Sequence, residues 1–88
     1  MKEIWKFPIG PGMDSFQMPV GAVVLAVQVQ REQPCIWVVV DPAAPKQPRS
    51  FFTVGTGHQF DSRGFEYLGT FQLQDGALVF HTFEVVNG

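Results

Sequence analysis

Short apolar runs rich in Val, Phe and Trp alternate with Gly- and Pro-containing breaks along the whole chain, and good helix formers are sparse. The pattern predicts strands throughout. The clearest is Ala22 to Gln30 (AVVLAVQVQ), where Val23, Leu25, Val27 and Val29 share one face while the other turns polar at Gln28 and Gln30. Cys35 to Asp41 (CIWVVVD) is apolar on both faces, as a central strand must be, and a turn at Arg31-Glu32-Gln33-Pro34 joins the two as a hairpin.

The remaining segments follow the same logic. Lys2 to Phe7 forms a first strand, stopped by Pro8-Ile9-Gly10-Pro11-Gly12, and Ser15 to Met18 a short second one, ended by Pro19 and Gly21. Asp41 to Pro48 carries three prolines and reads as a stiff extended loop. Strands resume at Arg49 to Gly55, Phe65 to Leu73 and Ala77 to Val86, and Asp75-Gly76 is a favoured two-residue centre for the last hairpin. About seven short strands with turn signals every 8 to 12 residues predict a single all-β domain over residues 1–88, an antiparallel β-sandwich or a partly open barrel.

Composition sharpens this picture. Hydrophobic residues make up 45% of the 88 and charged residues only 16%, against a usual charged share of about 25%. So small a domain has a thin core, and the lone Cys35 excludes an internal disulfide, so self-association into a homo-oligomer is the expected way to cover the apolar surplus. The net charge of −2 and the scattered cations Lys2, Lys6, Arg31, Lys46, Arg49 and Arg63 argue against duplex nucleic acid, which requires massed positive charge. Nothing approaches the roughly 18 apolar residues of a membrane helix, and one thiol without an export signal fits the cytosol.

Candidate chemistry concentrates between Phe51 and Leu73. Gly55-Thr56-Gly57-His58 offers successive backbone N–H groups, a hydroxyl and an imidazole, which can cradle an anion or serve as a plain glycine turn at a strand end. Arg63 in the loop Asp61-Ser62-Arg63-Gly64 is the best-placed cation for an anionic partner, followed by Arg49. Trp5, Trp37, Phe60, Phe65 and Tyr67 are candidate stacking surfaces for a base, and Phe60 stands out because it lies among polar residues. His58, His81, Cys35, Asp41, Asp61 and Glu84 lack any metal-ligand spacing, so neither a metal nor another cofactor is expected. On an alternating strand His81 shares a face with Val79, Phe83 and Val85, which predicts a hydrogen-bonded histidine in a core or interface.

At VQVQREQPCIWVVVDP, FFTVGTGH and YLGTFQLQDGALVFHTFE the chain resembles a family of small proteins encoded by tailed bacteriophages and prophages. The resemblance spans nearly the whole chain and implies a setting, the cytoplasm of an infected bacterium, and no activity. Taken with the candidate residues, that setting leads to the expectation of a non-enzymatic accessory protein that antagonises host defence by sequestering a small anionic, nucleotide-type ligand at an oligomer interface. Gly55 to His58, Arg63 or Arg49, and Phe60 or Trp37 would then form the contact set. The alternatives are a protein that blocks a host defence protein by direct binding, a structural or regulatory phage protein with no small-molecule site, and a hydrolase using His58 or His81 with Asp61 or Glu84.

Overall fold

The most apolar run of the chain becomes the middle of a sheet. In the computed structural model, which describes residues 1–86, seven strands follow in order: β1 (Glu3–Pro8), β2 (Gly12–Pro19), β3 (Val23–Gln30), β4 (Gln33–Val40), β5 (Lys46–Gly55), β6 (Phe65–Leu73) and β7 (Leu78–Val85). They form a three-stranded sheet, β1-β4-β3, and a four-stranded sheet, β2-β5-β7-β6. Every pairing is antiparallel, and the sheets remain separate layers that do not close into a barrel.

Between the layers lie Ile9, Met18, Ala22, Val27, Ile36, Val38, Val40, Phe51 and Phe71, with Trp5, Phe7, Phe16, Leu68 and Phe80 packed around them. Strand β4 sends Ile36, Val38 and Val40 inward and Cys35, Trp37 and Val39 outward, which is why its sequence is apolar on both faces. Thr53 and Thr82 are also buried between the sheets, and their hydroxyls satisfy each other at 2.9 Å.

The alternation expected along β3 is interrupted. Its register against β4 shifts between Val24 and Ala26, so Leu25 bulges out. Val23 and Leu25 are then 58% and 53% exposed, while Val27 and Val29 face the core as the alternation predicts and Val24 joins them there. Strand β6 carries a matching bulge between Tyr67 and Gly69. The two bulged strands pass so close that a Cβ on Gly69 would lie 3.1 Å from the Val27 Cβ. Only a glycine lets the two sheets approach there.

Three connections depart from the sequence-based expectation. Gln30 pairs with Gln33, so the β3–β4 turn has only two central residues, Arg31 (φ 50°) and Glu32 (φ 66°), and Pro34 already belongs to β4. The last hairpin is longer than expected: Leu73 pairs with Leu78, and Gln74, Asp75 and Gly76 all take positive φ in a four-residue loop. The extended loop after β4 ends at Pro45, because Lys46 to Ser50 already pair with β2. Pro48 is accommodated there because β5 acquires its second neighbour, β7, only from Phe51 onward.

Candidate functional site

Period-two alternation along β5 and β7 separates two kinds of aromatic residue. Phe51 points into the sandwich, so Phe52 must point out, and its partner Phe83 lies beside it on the outer face of the four-stranded sheet. Phe65 and Tyr67 of β6 share that face through Val85 and Phe83. Phe60 arrives from the β5–β6 loop and completes the cluster, with ring centroids 5.2 Å from Phe83, 5.9 Å from Phe52 and 6.3 Å from Phe65. Phe52 and Phe65 stack at 5.3 Å, and Tyr67 meets Phe83 edge-on at 5.7 Å. Phe60 and Tyr67 remain 39% and 58% exposed, and Met13, opposite Phe52, is 59% exposed.

A chain of hydrogen bonds borders the cluster. The Tyr67 and Thr70 hydroxyls share one at 2.5 Å, Thr70 Oγ1 meets His81 Nδ1 at 3.0 Å, and His81 Nε2 meets Thr56 Oγ1 at 2.7 Å. Hydroxyl rotors donate or accept as required, so the chain closes around either neutral tautomer of His81. His81 is thus a hydrogen-bonded, half-buried residue of a surface face. Sequence reasoning missed the part played by Thr70, although the signal existed: in the β6–β7 hairpin Thr70 lies directly opposite His81.

The glycine turn expected to cradle an anion makes hydrogen bonds of its own. The Thr56 N–H donates to the Val79 carbonyl at 3.0 Å and the His58 N–H to the Gly55 carbonyl at 3.2 Å, so two donors of the turn are spent internally. Gly57 takes φ +92°, the conformation of a glycine turn. Thr56 turns toward His81 while the His58 ring folds back over Gly55 and Phe80, beside a cavity of about 260 Å³ at the end of the sandwich.

The two arginines also differ from expectation. Arg49 belongs to the interior side of the sheet, where Nε and Nη2 donate to the Glu84 carboxylate at 2.6 and 2.8 Å and Nη1 donates to the Ala22 carbonyl at 2.5 Å. The Glu84 carboxylate, through that hydrogen bond and its charge, raises the Arg49 pKa above its ordinary value against the opposing effect of burial. With this partner Arg49 is a structural cation. Arg63 is exposed and forms a bidentate pair with Asp61 of its own loop, which holds the Asp61 carboxyl below its ordinary pKa. Trp37 lies on the other sheet, facing outward, so the contact set proposed from sequence is split between two surfaces and the interior. Among the described residues no three His, Cys, Asp or Glu side chains converge as a metal site.

A family model described as Domain of unknown function (DUF7352) matches residues 1–88, and the chain belongs to that family. No curated protein and no solved structure matches it.

Proposed function

We propose that this member of the DUF7352 family is a non-enzymatic binding protein that docks a protein partner on the outer face of its four-stranded sheet. The observation that carries the reading is the outward cluster of Phe52, Phe60, Phe65, Phe83 and Tyr67, capped by exposed Phe60 and Tyr67. A solvent-facing sheet surface is ordinarily polar. Aromatic side chains and methionine on a surface, here with Met13 opposite Phe52, are the composition of protein interfaces and of their energetic centres.

A protein partner fits better than a small molecule. Small-ligand sites are concave, and the two grooves of about 520 and 260 Å³ lie on the opposite sheet and at the sandwich end, away from the aromatic cluster. The turn expected to hold an anion uses its own donors, and Arg63 already faces a carboxylate. In the setting that the phage resemblance implies, the partner is a host protein, and binding it blocks its action. The Thr56–His81–Thr70–Tyr67 chain then supplies directional bonds at the rim of the apolar contact.

The test uses a photo-crosslinking amino acid placed at position 60 or 67 in the bacterial cytosol, with position 23, exposed on the outer face of the three-stranded sheet, as the control. The expected result is one host protein crosslinked from 60 and 67, whose purified form binds the wild type at least tenfold more tightly than it binds Tyr67→Ala or Phe60→Ala. A crosslink to a second copy alone overturns the reading. Equal binding by the folded variants overturns it as well.

A further inference from the structure

We infer that the outer face of the three-stranded sheet carries a binding site for a small phosphate- or carboxylate-bearing anion between Lys6 and Arg31. A groove of about 520 Å³ opens there, lined by Lys6, Pro8, Gln30, Arg31, Gln33 and Cys35. Two of its six lining residues are cationic and none is acidic. That volume lies within the roughly 300 to 1,000 Å³ of small-molecule sites.

Charge pairing distinguishes these cations from the arginines on the other sheet. Arg49 and Arg63 are matched by Glu84 and Asp61. Among the described residues neither Lys6 nor Arg31 has an ion-pair partner; Lys6 Nζ donates to the neutral Gln30 Oε1 at 2.7 Å and sits 5.6 Å from the centroid of the Trp37 ring. The ammonium is therefore positioned by an amide and a π-face while its charge stays uncompensated. An entering anion supplies that charge, and the Arg31 guanidinium can grip it bidentately.

The turn that presents Arg31 adds an independent observation. Both central residues of the β3–β4 hairpin, Arg31 and Glu32, are held at positive φ, where Asn-Gly or Asp-Gly is usual because other side chains are strained there. The tight two-residue turn thereby fixes where the Arg31 side chain meets the rim of the groove. Opposite it, the floor is rigid, since Cys35 is buried and Gln33 Nε2 is anchored on the Ile9 and Pro34 carbonyls at 3.0 and 2.9 Å. This site faces away from the aromatic surface, so it stands or falls separately from the docking proposal.

Two-dimensional amide NMR of the whole protein is the test, with inorganic phosphate, adenosine 5′-monophosphate and uncharged adenosine as probes. At least one of the two anions is expected to shift the amides of residues 6, 7, 30, 31, 33 and 35, with adenosine leaving them in place. Lys6→Gln and Arg31→Gln are each expected to weaken that binding at least tenfold while retaining the dispersed spectrum of the folded chain, and Arg63→Gln to leave it unchanged. If neither anion moves those amides, or if adenosine moves them equally, the assignment is overturned. Binding that survives both Lys6→Gln and Arg31→Gln, or falls equally with Arg63→Gln, overturns it too. Should either groove variant fail to fold, Lys6→Arg, which keeps the charge, is expected to retain binding and Arg31→Lys, which loses the bidentate grip, to weaken it; loss of binding in Lys6→Arg or unchanged binding in Arg31→Lys overturns the site.

Discussion

The interior aromatic residues and those on the outer face of the four-stranded sheet are neighbours along the same strands, yet they meet different physical demands. Phe51 is 1% exposed and packs with Phe16 at 6.1 Å, which in turn meets Phe7 at 5.1 Å, linking the two layers. One residue later, Phe52 packs with Phe60, Phe65 and Phe83 on a surface that water still reaches. In the first group Phe51 is enclosed between the sheets, with the half-buried Phe16 and Phe7 packed at the edge of the core, so its volume is fixed by both layers. The second has a floor of strand and one loop residue as a partial cover, so part of its apolar area remains to be buried by something else. Position on one side of a strand thus divides residues of one type between holding the fold together and presenting a surface.

Truncating one ring on each side of the strand gives the largest expected difference. Phe51→Ala is expected to destabilise the fold by about 3 to 5 kcal/mol, because both sheets hold the cavity open. Phe60→Ala is expected to cost about 1 kcal/mol or less, since its ring is 39% exposed and the loop can settle. Urea unfolding of both variants measures the difference. Equal losses would mean that the outer cluster is a second core and not a free surface.

This division was legible in the sequence where alternation is strict and hidden where it breaks. The apolar run of β4 announced a central strand, and the Val79, His81, Phe83 face of β7 followed from simple alternation. The β3 assignment is right for Val27 and Val29 and fails for Val23 and Leu25, because a bulge inserts a residue without any compositional mark and puts the two halves of the strand out of phase. Arg49 looked like a free cation because its partner Glu84 lies 35 residues away, in a strand whose neighbour cannot be read locally. Lys6 and Arg31 seemed scattered for the same reason: antiparallel pairing of β1 and β3 with β4 brings them to one groove.

A smaller effect sharpens the interior half of the comparison at its seam. Gly69→Ala adds one methyl group where β6 crosses Val27 at 3.1 Å, and the nearest atoms are a branched Cβ and Cγ2 that have little room to yield. A loss of about 1 to 3 kcal/mol is expected. Restoring space with Val27→Ala in the Gly69→Ala background should recover less than the full loss, because Val27 itself is a core residue. Thermal or urea unfolding of the single and double variants checks this, and a neutral Gly69→Ala would show that the two edges separate freely.

The least effect is expected from the loop that covers the outer cluster. Arg63 and Asp61 are solvent-exposed partners, so Arg63→Ala should leave overall stability within the error of a urea melt. Its consequence is electrostatic and local. The Arg63 side chain, and after it the Arg63 backbone N–H, holds the Asp61 carboxyl below its ordinary pKa, so this interaction is present above the unfolded-state pKa and is lost as pH falls through the lower folded-state value. Removing the guanidinium takes away the larger of those two causes, and the Asp61 pKa should move up toward that of a free aspartate, read directly by NMR titration of its carboxyl carbon. If the loop is held over Phe60 chiefly by ring packing, the Phe60 ring resonances will stay fixed through that titration. A coupled shift of the Phe60 resonances with Asp61 protonation would instead place control of the aromatic cover in the ion pair, and the exposed half of the comparison would become sensitive to acid while the interior half is not.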